Sequence, residues 1–284
     1  MAHMDAVLLI DKPAGMTSFQ VVAACRRYFH EKKAGHTGTL DPNARGLMIV
    51  LLGRYTKLVP YCASNHKHYT AEFVMGRSYD TEDVWGTPTA ERVPADHSET
   101  ELKAAAEAFL GDIDQVPPMY SAIKIDGRKL YEMARKGETV ERKARRVHVS
   151  SLSVQHMHDM TYRMDAVVSS GTYIRTLIAD YCAELEELGA MSALTRQSIE
   201  HLSLDEADPL DDLLAGRYHL QNACSVLDPA ITQIPFADTE RIRNGRAVRL
   251  SCSEDLVILV AEGEPLAAYE KRSDGLYHCV RGLF

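Results

Sequence analysis

A loop at residues 35–42 constrains this chain most, because it carries an acid, an imidazole and two hydroxyls within a few positions. It lies between a predicted amphipathic helix and the apolar run at 47–52. Its two glycines permit backbone angles that other residues avoid, and its final proline biases Asp41 toward an extended conformation. The loop should therefore present the Asp41 carboxylate in one direction. From spacing alone, an ordinary strand connection with a turn-forming aspartate remains the alternative.

The same stretch resembles the signature of the TruB family of tRNA pseudouridine synthases. The matching residues are Gly-His-Thr-Gly-Thr-Leu-Asp-Pro at 35–42, followed by Ala44, Gly46, Gly53 and Thr56-Lys57. Three further motifs match: Lys-Pro-x-Gly-x-Thr-Ser at 12–18, the run from Gln115 to Lys124, and Gly-Thr-Tyr-Ile-Arg at 171–175. The resemblance spans roughly residues 11–207. It implies isomerisation of uridine to pseudouridine at position 55 of the tRNA T loop, by base flipping and aspartate-assisted rearrangement of the glycosidic bond.

The resemblance also assigns active-site residues. It implies that Asp41 is catalytic, that Tyr69 stacks on the target base, and that Tyr173 and Leu194 line the base pocket. Arg175 would pair with the aspartate and keep it ionised. This agrees with its position in the first turn of a predicted helix, where a cation opposes the helix dipole and calls for an acidic partner. Without the resemblance, Tyr69 would be interpreted as a half-buried strand residue. The motif at 12–18 is interpreted as packing support for the loop.

RNA binding requires a local basic surface, because the whole chain carries a net charge of −8. Residues 119–149 contain nine Lys or Arg against four Asp or Glu, a net charge of +5. Such a segment suits an RNA backbone, although a solvated basic face is the simpler alternative. His36 could occupy the space that a flipped base leaves. The predicted RNA-binding residues are His36, Lys57, Lys124, Arg128, Lys129, Arg142, Lys143, Arg145 and Arg146.

Metal and redox chemistry find little support in the sequence. The six cysteines are scattered without a Cys-x-x-Cys pair, which argues against a zinc site and a disulfide framework. His66 and His68, or His156 and His158, could ligate from one side of a strand, but solvated or packed histidines are simpler. The resemblance implies a reaction without metal or cofactor.

Local patterns predict the secondary structure. Strands are expected at 6–10, 47–52 and 66–75, and a hairpin at 146–158 with 161–168. Ser18 is predicted to cap a helix, Ser98 and Glu101 form a capping box, and Gly189 is predicted to close a helix that opens at 171–175. With the resemblance, this indicates an α+β pseudouridine synthase fold: a mixed, largely antiparallel central sheet flanked by helices, and a small C-terminal β-rich domain.

The expected domains are a catalytic domain at 5–225 and a PUA-like RNA-binding domain at 226–284, with residues 1–4 an expression remnant. No run reaches about 18 apolar residues, which predicts a cytoplasmic protein without a membrane contact. The protein is also expected to be a monomer. The expected partner is the T-arm stem-loop of tRNA. Residues 120–124 resemble stand-alone bacterial enzymes, so no guide RNA is expected.

Two other functions remain open from sequence. The first is a non-catalytic tRNA-binding or tRNA-folding protein on the same scaffold. The second is a carboxylate-based glycosidase, which would need a second acid near Asp41. The motif offers an arginine instead, which favours the synthase.

Overall fold

The computed structural model describes residues 4–125 and 127–284. Its helices are α1 (Ser18–Tyr28), α2 (Glu99–Glu107), α3 (Leu130–Ala134), α4 (Ile174–Glu184), α5 (Leu210–Leu214) and α6 (Thr239–Arg243). Short 3-10 segments cover Gly53–Tyr61 and Leu204–Glu206. Apart from Met4, the predicted expression remnant lies outside the described residues, as does Asp126 of the basic segment.

The strands are β1 (Ala6–Lys12), β2 (Ala34–Thr37), β3 (Arg45–Leu52), β4 (His66–Met75), β5 (Arg77–Tyr79), β6 (Pro88–Glu91), β7 (Gly111–Gln115), β8 (Lys124–Ile125), β9 (Arg128–Lys129), β10 (Arg145–His158), β11 (Thr161–Ser169), β12 (Gly189–Ile199), β13 (Leu202–Ser203), β14 (Asp208–Pro209), β15 (Thr232–Pro235), β16 (Leu256–Ala261), β17 (Glu264–Lys271) and β18 (Tyr277–Gly282). They divide between two compact units. The first combines the chain up to Asn65 with Ser198–Phe284, and the second is His66–Gln197.

In the first unit, β3 lies between β1 and β2 and pairs antiparallel with both. Every residue of β3 after Arg45 is buried, as expected for a strand covered on both faces. β14 adds a parallel neighbour to β1. The continuous apolar run at 47–52 therefore forms a buried inner strand of this unit.

The C-terminal strands form a sheet of order β15-β16-β17-β18, parallel at the first pair and antiparallel at the others. Successive residues of β16 point to two different cores. Val257 packs in a cluster with Tyr269 and Tyr277, whereas Ile258 packs in a cluster with Val7 and Ile49. The C-terminal sheet thus shares a core with β1 and β3, which explains why both belong to one compact unit.

In the second unit the strand order is β12-β4-β11-β10-β7. β11 pairs antiparallel with β4 and with β10, and β10 pairs antiparallel with β7. Helices α2 and α4 meet where the Tyr181 hydroxyl donates to the Leu102 carbonyl at 3.0 Å. Tyr181 also packs its ring edge-on against Phe73 of β4. The predicted α+β fold, with a mixed and largely antiparallel sheet, is confirmed.

Two local predictions were wrong. Thr17, not Ser18, caps α1: its hydroxyl accepts from the Gln20 N–H at 3.1 Å, and the Gln20 side chain accepts from the Thr17 N–H at 2.7 Å. Gly189 begins β12 instead of closing α4, which ends at Glu184. A Cβ at Gly189 would lie 2.2 Å from the Cys182 sulfur, so close packing and not a helix cap requires glycine there.

The predicted capping box at the start of α2 is confirmed, with Ser98 as the N-cap and Glu101 closing the reciprocal bond. Among the described residues, no helix has both the length and the apolar composition that crossing a membrane requires.

Candidate active site

The predicted catalytic loop begins as a strand and then turns. Its first residues complete β2, where His36 pairs with Val50 of β3. Gly38 then adopts a φ of 70°, a left-handed conformation that favours glycine. Asp41 follows, half-buried, and its carbonyl accepts from the Ala44 N–H at 3.1 Å. The loop therefore has a defined backbone at the acid.

A buried lysine supports this loop from within. Lys12, at the end of β1, has no exposed surface. Its ammonium donates to the carbonyls of Pro42 at 3.0 Å, Ala44 at 2.6 Å and Pro13 at 2.9 Å. A buried charge is tolerated when it is well hydrogen-bonded, and these bonds hold the chain on the C-terminal side of Asp41.

Ser18 holds the other side of the acid. Its hydroxyl donates to the Leu40 carbonyl at 3.1 Å and accepts from the Leu40 N–H at 2.9 Å. Both residues are buried, so one side chain satisfies both main-chain groups of Leu40. The interpretation of the motif at 12–18 as packing support for the loop agrees with these contacts.

Two other predicted residues lie in the first unit. His36 is half-buried on β2, at the start of the loop. Lys57 was predicted to bind RNA, and its ammonium donates to the carbonyls of Gly282 at 2.8 Å and Phe284 at 3.3 Å. Lys57 therefore contacts the C-terminal residues of the same unit.

In the second unit, Arg175 is buried in the first turn of α4, with 4% of its surface exposed. Its guanidinium donates to the carbonyl of Thr81 at 2.7 Å and to the carbonyl of Tyr120 at 2.9 Å. Its Nε lies 3.8 Å from a carboxylate oxygen of Asp83. The fork geometry of arginine thus spans two segments of the chain, and its orientation is set by both.

The segment 80–87 that supplies these contacts is itself tightly bonded. Asp83 accepts from the Thr81 hydroxyl at 2.7 Å and from the Trp85 N–H at 3.2 Å. Burial raises the pKa of the Glu82 carboxyl, while a hydrogen bond from the Thr176 hydroxyl opposes that rise. The nearby guanidinium groups of Arg175 and Arg142 also oppose that rise. Arg142 of the basic segment is therefore close to this segment.

Tyr173 occupies the N-cap position of α4 and is held through its main chain. The buried Gln115 side chain accepts from the Tyr173 N–H at 2.8 Å and donates to its carbonyl at 3.1 Å. One amide side chain thus fixes the backbone immediately before Arg175. Gln115 belongs to a motif that the sequence identified, but its role follows from this contact alone.

Tyr69 lies on β4, opposite Ala166 of β11, and is 8% exposed. Lys67 precedes it by two residues and points to the same buried face, where it donates to the Ser170 hydroxyl at 3.1 Å. Leu194 is buried on β12. The burial of Tyr69 satisfies the simpler description of a packed strand residue, and the pocket roles of Tyr69 and Leu194 stay predictions.

The basic segment 119–149 comprises the β8–β9 hairpin, α3 and the start of β10. Several of its cations have partners. Arg128 pairs with Glu138 at 2.9 Å, and Arg146 with Asp114 at 3.4 Å. Arg142 is half-buried and donates to the Pro117 carbonyl at 2.9 Å. The predicted cations that lie exposed are Lys124, Arg128, Lys143, Arg145 and Arg146.

The histidine pairs considered as metal ligands face other partners. His68 lies 3.6 Å from Asp165, and the His156 Nε2–H donates to the Asp159 carbonyl at 2.8 Å. His158 lies 3.4 Å from the Asp159 carboxylate. In the part of the chain that the structure describes, no group of three or more His, Cys, Asp or Glu side chains is arranged to hold a metal ion.

The predicted site residues divide between the units: Asp41, His36 and Lys57 lie in the first, and all others in the second. Sequence analysis missed Asp83 as an acidic partner of Arg175, and also the carbonyls of Thr81 and Tyr120. Asp83 belongs, with Gly76, Asp80, Thr81 and Gly86, to a stretch that also resembles the family, and this is the signal that could have identified it. Sequence analysis also missed the capping box of Thr17 and Gln20, although its spacing can be recognised in the sequence.

Comparison with known proteins identifies the family. The profile described as TruB family pseudouridylate synthase (N terminal domain) matches residues 26–174. A tRNA pseudouridine synthase B from Oenococcus oeni is 37% identical over 288 aligned residues, covering 96% of each chain. The same enzyme from Limosilactobacillus reuteri is 36% identical, covering 94% of each chain.

Among solved structures, a chain in a Cbf5–Nop10–Gar1 complex matches with a TM-score of 0.75 at 22% identity, covering 98% of this chain and 85% of that chain. This likeness supports the fold. The family match and the near full-length relatives go further: this chain belongs to the TruB family of pseudouridylate synthases.

Proposed function

We propose that this protein isomerises uridine to pseudouridine in tRNA, at position 55 of the T loop. The observation that carries the proposal is the match to relatives named tRNA pseudouridine synthase B over nearly the whole chain. The loop that presents Asp41 supports it, because Lys12 and Ser18 hold the chain on both sides of that acid. A non-catalytic tRNA-binding protein would not need this arrangement.

The reaction conserves composition. The bond from ribose C1′ to uracil N1 breaks, and a bond from C1′ to C5 forms after the base rotates. The hydrogen on C5 leaves as a proton, and N1 of the product carries a proton instead. The protein must therefore stabilise charge at the sugar, hold the detached base, and provide a group that removes the proton from C5.

We assign these tasks to the predicted residues. Asp41 acts as nucleophile or as stabiliser of positive charge at the sugar. Arg175 would pair with Asp41 and keep it ionised, and its bonds to two carbonyls support a fixed guanidinium. Tyr69 would stack on the target base, while Tyr173 and Leu194 would line its pocket.

Chemistry on a base requires its extrusion from the stack. His36 would occupy the space that the base leaves, or hold a neighbouring nucleotide. The exposed cations of 119–149 would bind the phosphates of the T arm directly, without a guide RNA. Residues 226–284 would add a PUA-like RNA-binding domain, and their strand-rich sheet supports this.

The test is turnover of a tRNA transcript carrying tritium at C5 of its uridines, since each isomerisation releases that tritium. Carbodiimide treatment and primer extension then locate the modified position. Asp41→Asn keeps the size of the side chain but removes its charge, and should lower turnover by at least about a thousandfold. Glu107→Gln, at an exposed acid of α2, is the matched control and should leave turnover unchanged.

Filter binding of the same transcript separates catalysis from recognition. We expect Asp41→Asn to bind tRNA about as well as the unmodified protein. Equal tritium release by both proteins would remove Asp41 from the mechanism. Binding without any release, in the unmodified protein as well, would favour a tRNA-binding protein over a synthase.

A further inference from the structure

The segment 80–87 displays the only tryptophan of the chain. Trp85 is 48% exposed, although burying an indole ring normally stabilises a protein. Single exposed apolar residues are common and need no explanation alone. Trp85 differs from other exposed apolar residues because it lies on a rigid segment that contacts Arg175.

The backbone beneath the indole is held by side chains of the same segment. The Trp85 N–H donates to Asp83 at 3.2 Å, and the Thr87 N–H donates to Asp80 at 2.7 Å. Between them, a Cβ at Gly86 would lie 2.1 Å from the Thr81 hydroxyl oxygen. The segment is closed too tightly for a side chain at that position, so Trp85 is presented from a fixed backbone.

Strand β12 anchors the same segment from outside. The Val84 N–H donates to the Met191 carbonyl at 3.0 Å, and the Met191 N–H donates to the Glu82 carbonyl at 3.1 Å. An aromatic side chain on such a support loses little conformational freedom when it binds a flat partner.

The support also connects the indole to the proposed active site. Arg175 donates to the Thr81 carbonyl at 2.7 Å and lies 3.8 Å from Asp83, the residue that holds the Trp85 N–H. The Tyr120 carbonyl accepts from the same guanidinium at 2.9 Å. Trp85 is therefore tied to Arg175 through one carboxylate, and to the start of the basic segment through that arginine.

Although the segment 80–87 itself contains three acids, the cations of the neighbouring segment favour RNA as the occupant of this surface. The acids of the segment already accept hydrogen bonds: Asp80 from the Thr87 N–H, Asp83 from the Thr81 hydroxyl, and Glu82 from the Thr176 hydroxyl. Burial raises the pKa of the Glu82 carboxyl, and Arg142 lies close enough to oppose that rise. The neighbouring segment 119–149 carries a net charge of +5. An unpaired RNA base offers the flat face, and its phosphates match the cations.

We propose that Trp85 stacks on an unpaired base of the tRNA beside the target uridine, and so acts as a positioning residue for substrate. This inference rests on the proposed function. Stacking of one base on an aromatic ring corresponds to about a tenfold change in affinity or more. Truncation of Trp85 should therefore raise KM for tRNA and leave kcat nearly unchanged.

The kinetic test compares Trp85→Ala and Trp85→Phe on a T-arm hairpin with tritium at C5 of its uridine. We expect Trp85→Ala to raise KM about tenfold with kcat within about twofold, and Trp85→Phe to recover most of the loss because it keeps a ring. Leu110→Ala removes an equally exposed apolar side chain, 46% exposed, and should change neither parameter.

A second measurement uses Trp85 as the sole tryptophan emitter of the chain. The hairpin should quench its emission, and a fully paired duplex of the same length should quench it much less. The control reporter is Leu110→Trp combined with Trp85→Phe. Leu110 precedes β7, whereas Gln115 at the far end of that strand contacts Tyr173, so the two ends lie about 17 Å apart. The control tryptophan should keep its emission.

Three outcomes decide the inference. An unchanged KM for Trp85→Ala, or unchanged emission while filter binding shows the hairpin bound, would overturn it. Equal quenching by the duplex would also overturn it, because no unpaired base is then needed. If the unmodified protein makes no pseudouridine, the proposed function fails, and the emission measurement still decides whether Trp85 contacts the loop of the RNA.

Discussion

Lys12 in the first unit and Arg175 in the second are both buried cations that donate to main-chain carbonyls. Lys12 binds Pro42 and Ala44, thirty and thirty-two residues along the chain, at the C-terminal end of the loop that it supports. Arg175 binds Thr81 and Tyr120, ninety-four and fifty-five residues away. Lys12 holds the chain beside Asp41 in place, whereas Arg175 is itself held in place by the carbonyls that it binds.

The chemistry of the two side chains explains the difference. An ammonium is a compact charge that can gather several carbonyls of one loop around a point. A guanidinium is a planar fork that joins two separate segments and fixes its own plane by doing so. Lys12 is therefore suited to shape a loop, and Arg175 to present a charge in a defined orientation.

The largest effect is expected at Lys12. Lys12→Met keeps the apolar stem but removes the ammonium that donates to the carbonyls of Pro13, Pro42 and the buried Ala44, so the free energy of unfolding should fall by about 3 kcal/mol. Product formation should fall as well, because the chain beside Asp41 loses its support. Urea unfolding and tritium release measure the two effects.

Lys32→Met is the matched control, since Lys32 is exposed between α1 and β2. It should change the free energy of unfolding by less than about 0.5 kcal/mol. Equal stability of both variants would mean that the Lys12 bonds do not hold the loop.

Arg175→Lys tests the comparison directly, because it places an ammonium where the protein has a guanidinium. The guanidinium donates to the Thr81 and Tyr120 carbonyls from two different nitrogens, whereas a lysine has one, so the free energy of unfolding should fall by about 2 kcal/mol and turnover by about a hundredfold. Arg163→Lys, at an exposed arginine beside Asp165, serves as control and should behave as the unmodified protein. Full turnover by Arg175→Lys would show that charge alone suffices.

Ser18→Ala tests the neutral contact on the other side of Asp41. The variant leaves both main-chain groups of buried Leu40 without a partner, which should lower the free energy of unfolding by about 1.5 kcal/mol. Thr17→Ala removes only the helix cap and should cost about 1 kcal/mol with little effect on turnover. A greater loss of turnover for Thr17→Ala than for Ser18→Ala would contradict the assignment of the two hydroxyls.

Glu187 provides a buried charge of opposite sign in the second unit. Although burial alone would raise its pKa, the Ala95 N–H, Arg92 and His97 lower the pKa of this carboxyl below its ordinary range. Its ionised form therefore stabilises the protein above that range, and the stabilisation is lost as the pH falls through the lowered pKa.

Glu187→Gln should lower the free energy of unfolding by about 1 kcal/mol at pH 7. The difference from the unmodified protein should shrink as the pH is lowered from the ordinary glutamate pKa of 4.5 through the lowered pKa of the native carboxyl. Urea unfolding at each pH measures it. A constant difference across this range would mean that ionisation of Glu187 does not stabilise the fold.

Local patterns predicted much of the fold. The apolar run of β3, the strand at 66–75 and the capping box of α2 follow from neighbours within a few residues, and all three were confirmed. Thr17 and Ser18 show the limit. Two adjacent hydroxyls are equally good caps by type, and Leu40, twenty-two residues away, decides which of them remains free to cap.

The charge count shows the same limit for the site. The sequence gathers nine cations within 119–149, but it does not reveal that Arg128 meets Glu138 or that Arg146 meets Asp114 across β10 and β7. Pairing depends on strand register and side-chain reach, which a sum of charges does not contain.

The sequence by itself determined the family, the acid-bearing loop and the strands around it, because contiguous motifs and short-range periodicity encode them. Only the tertiary structure decided which groups hold the functional side chains: Lys12 for the loop, the Thr81 and Tyr120 carbonyls for Arg175, and Gln115 for Tyr173. In most of these contacts a side-chain donor meets a main-chain carbonyl. Every residue has one, so nothing but the fold can single out those that a buried donor will meet.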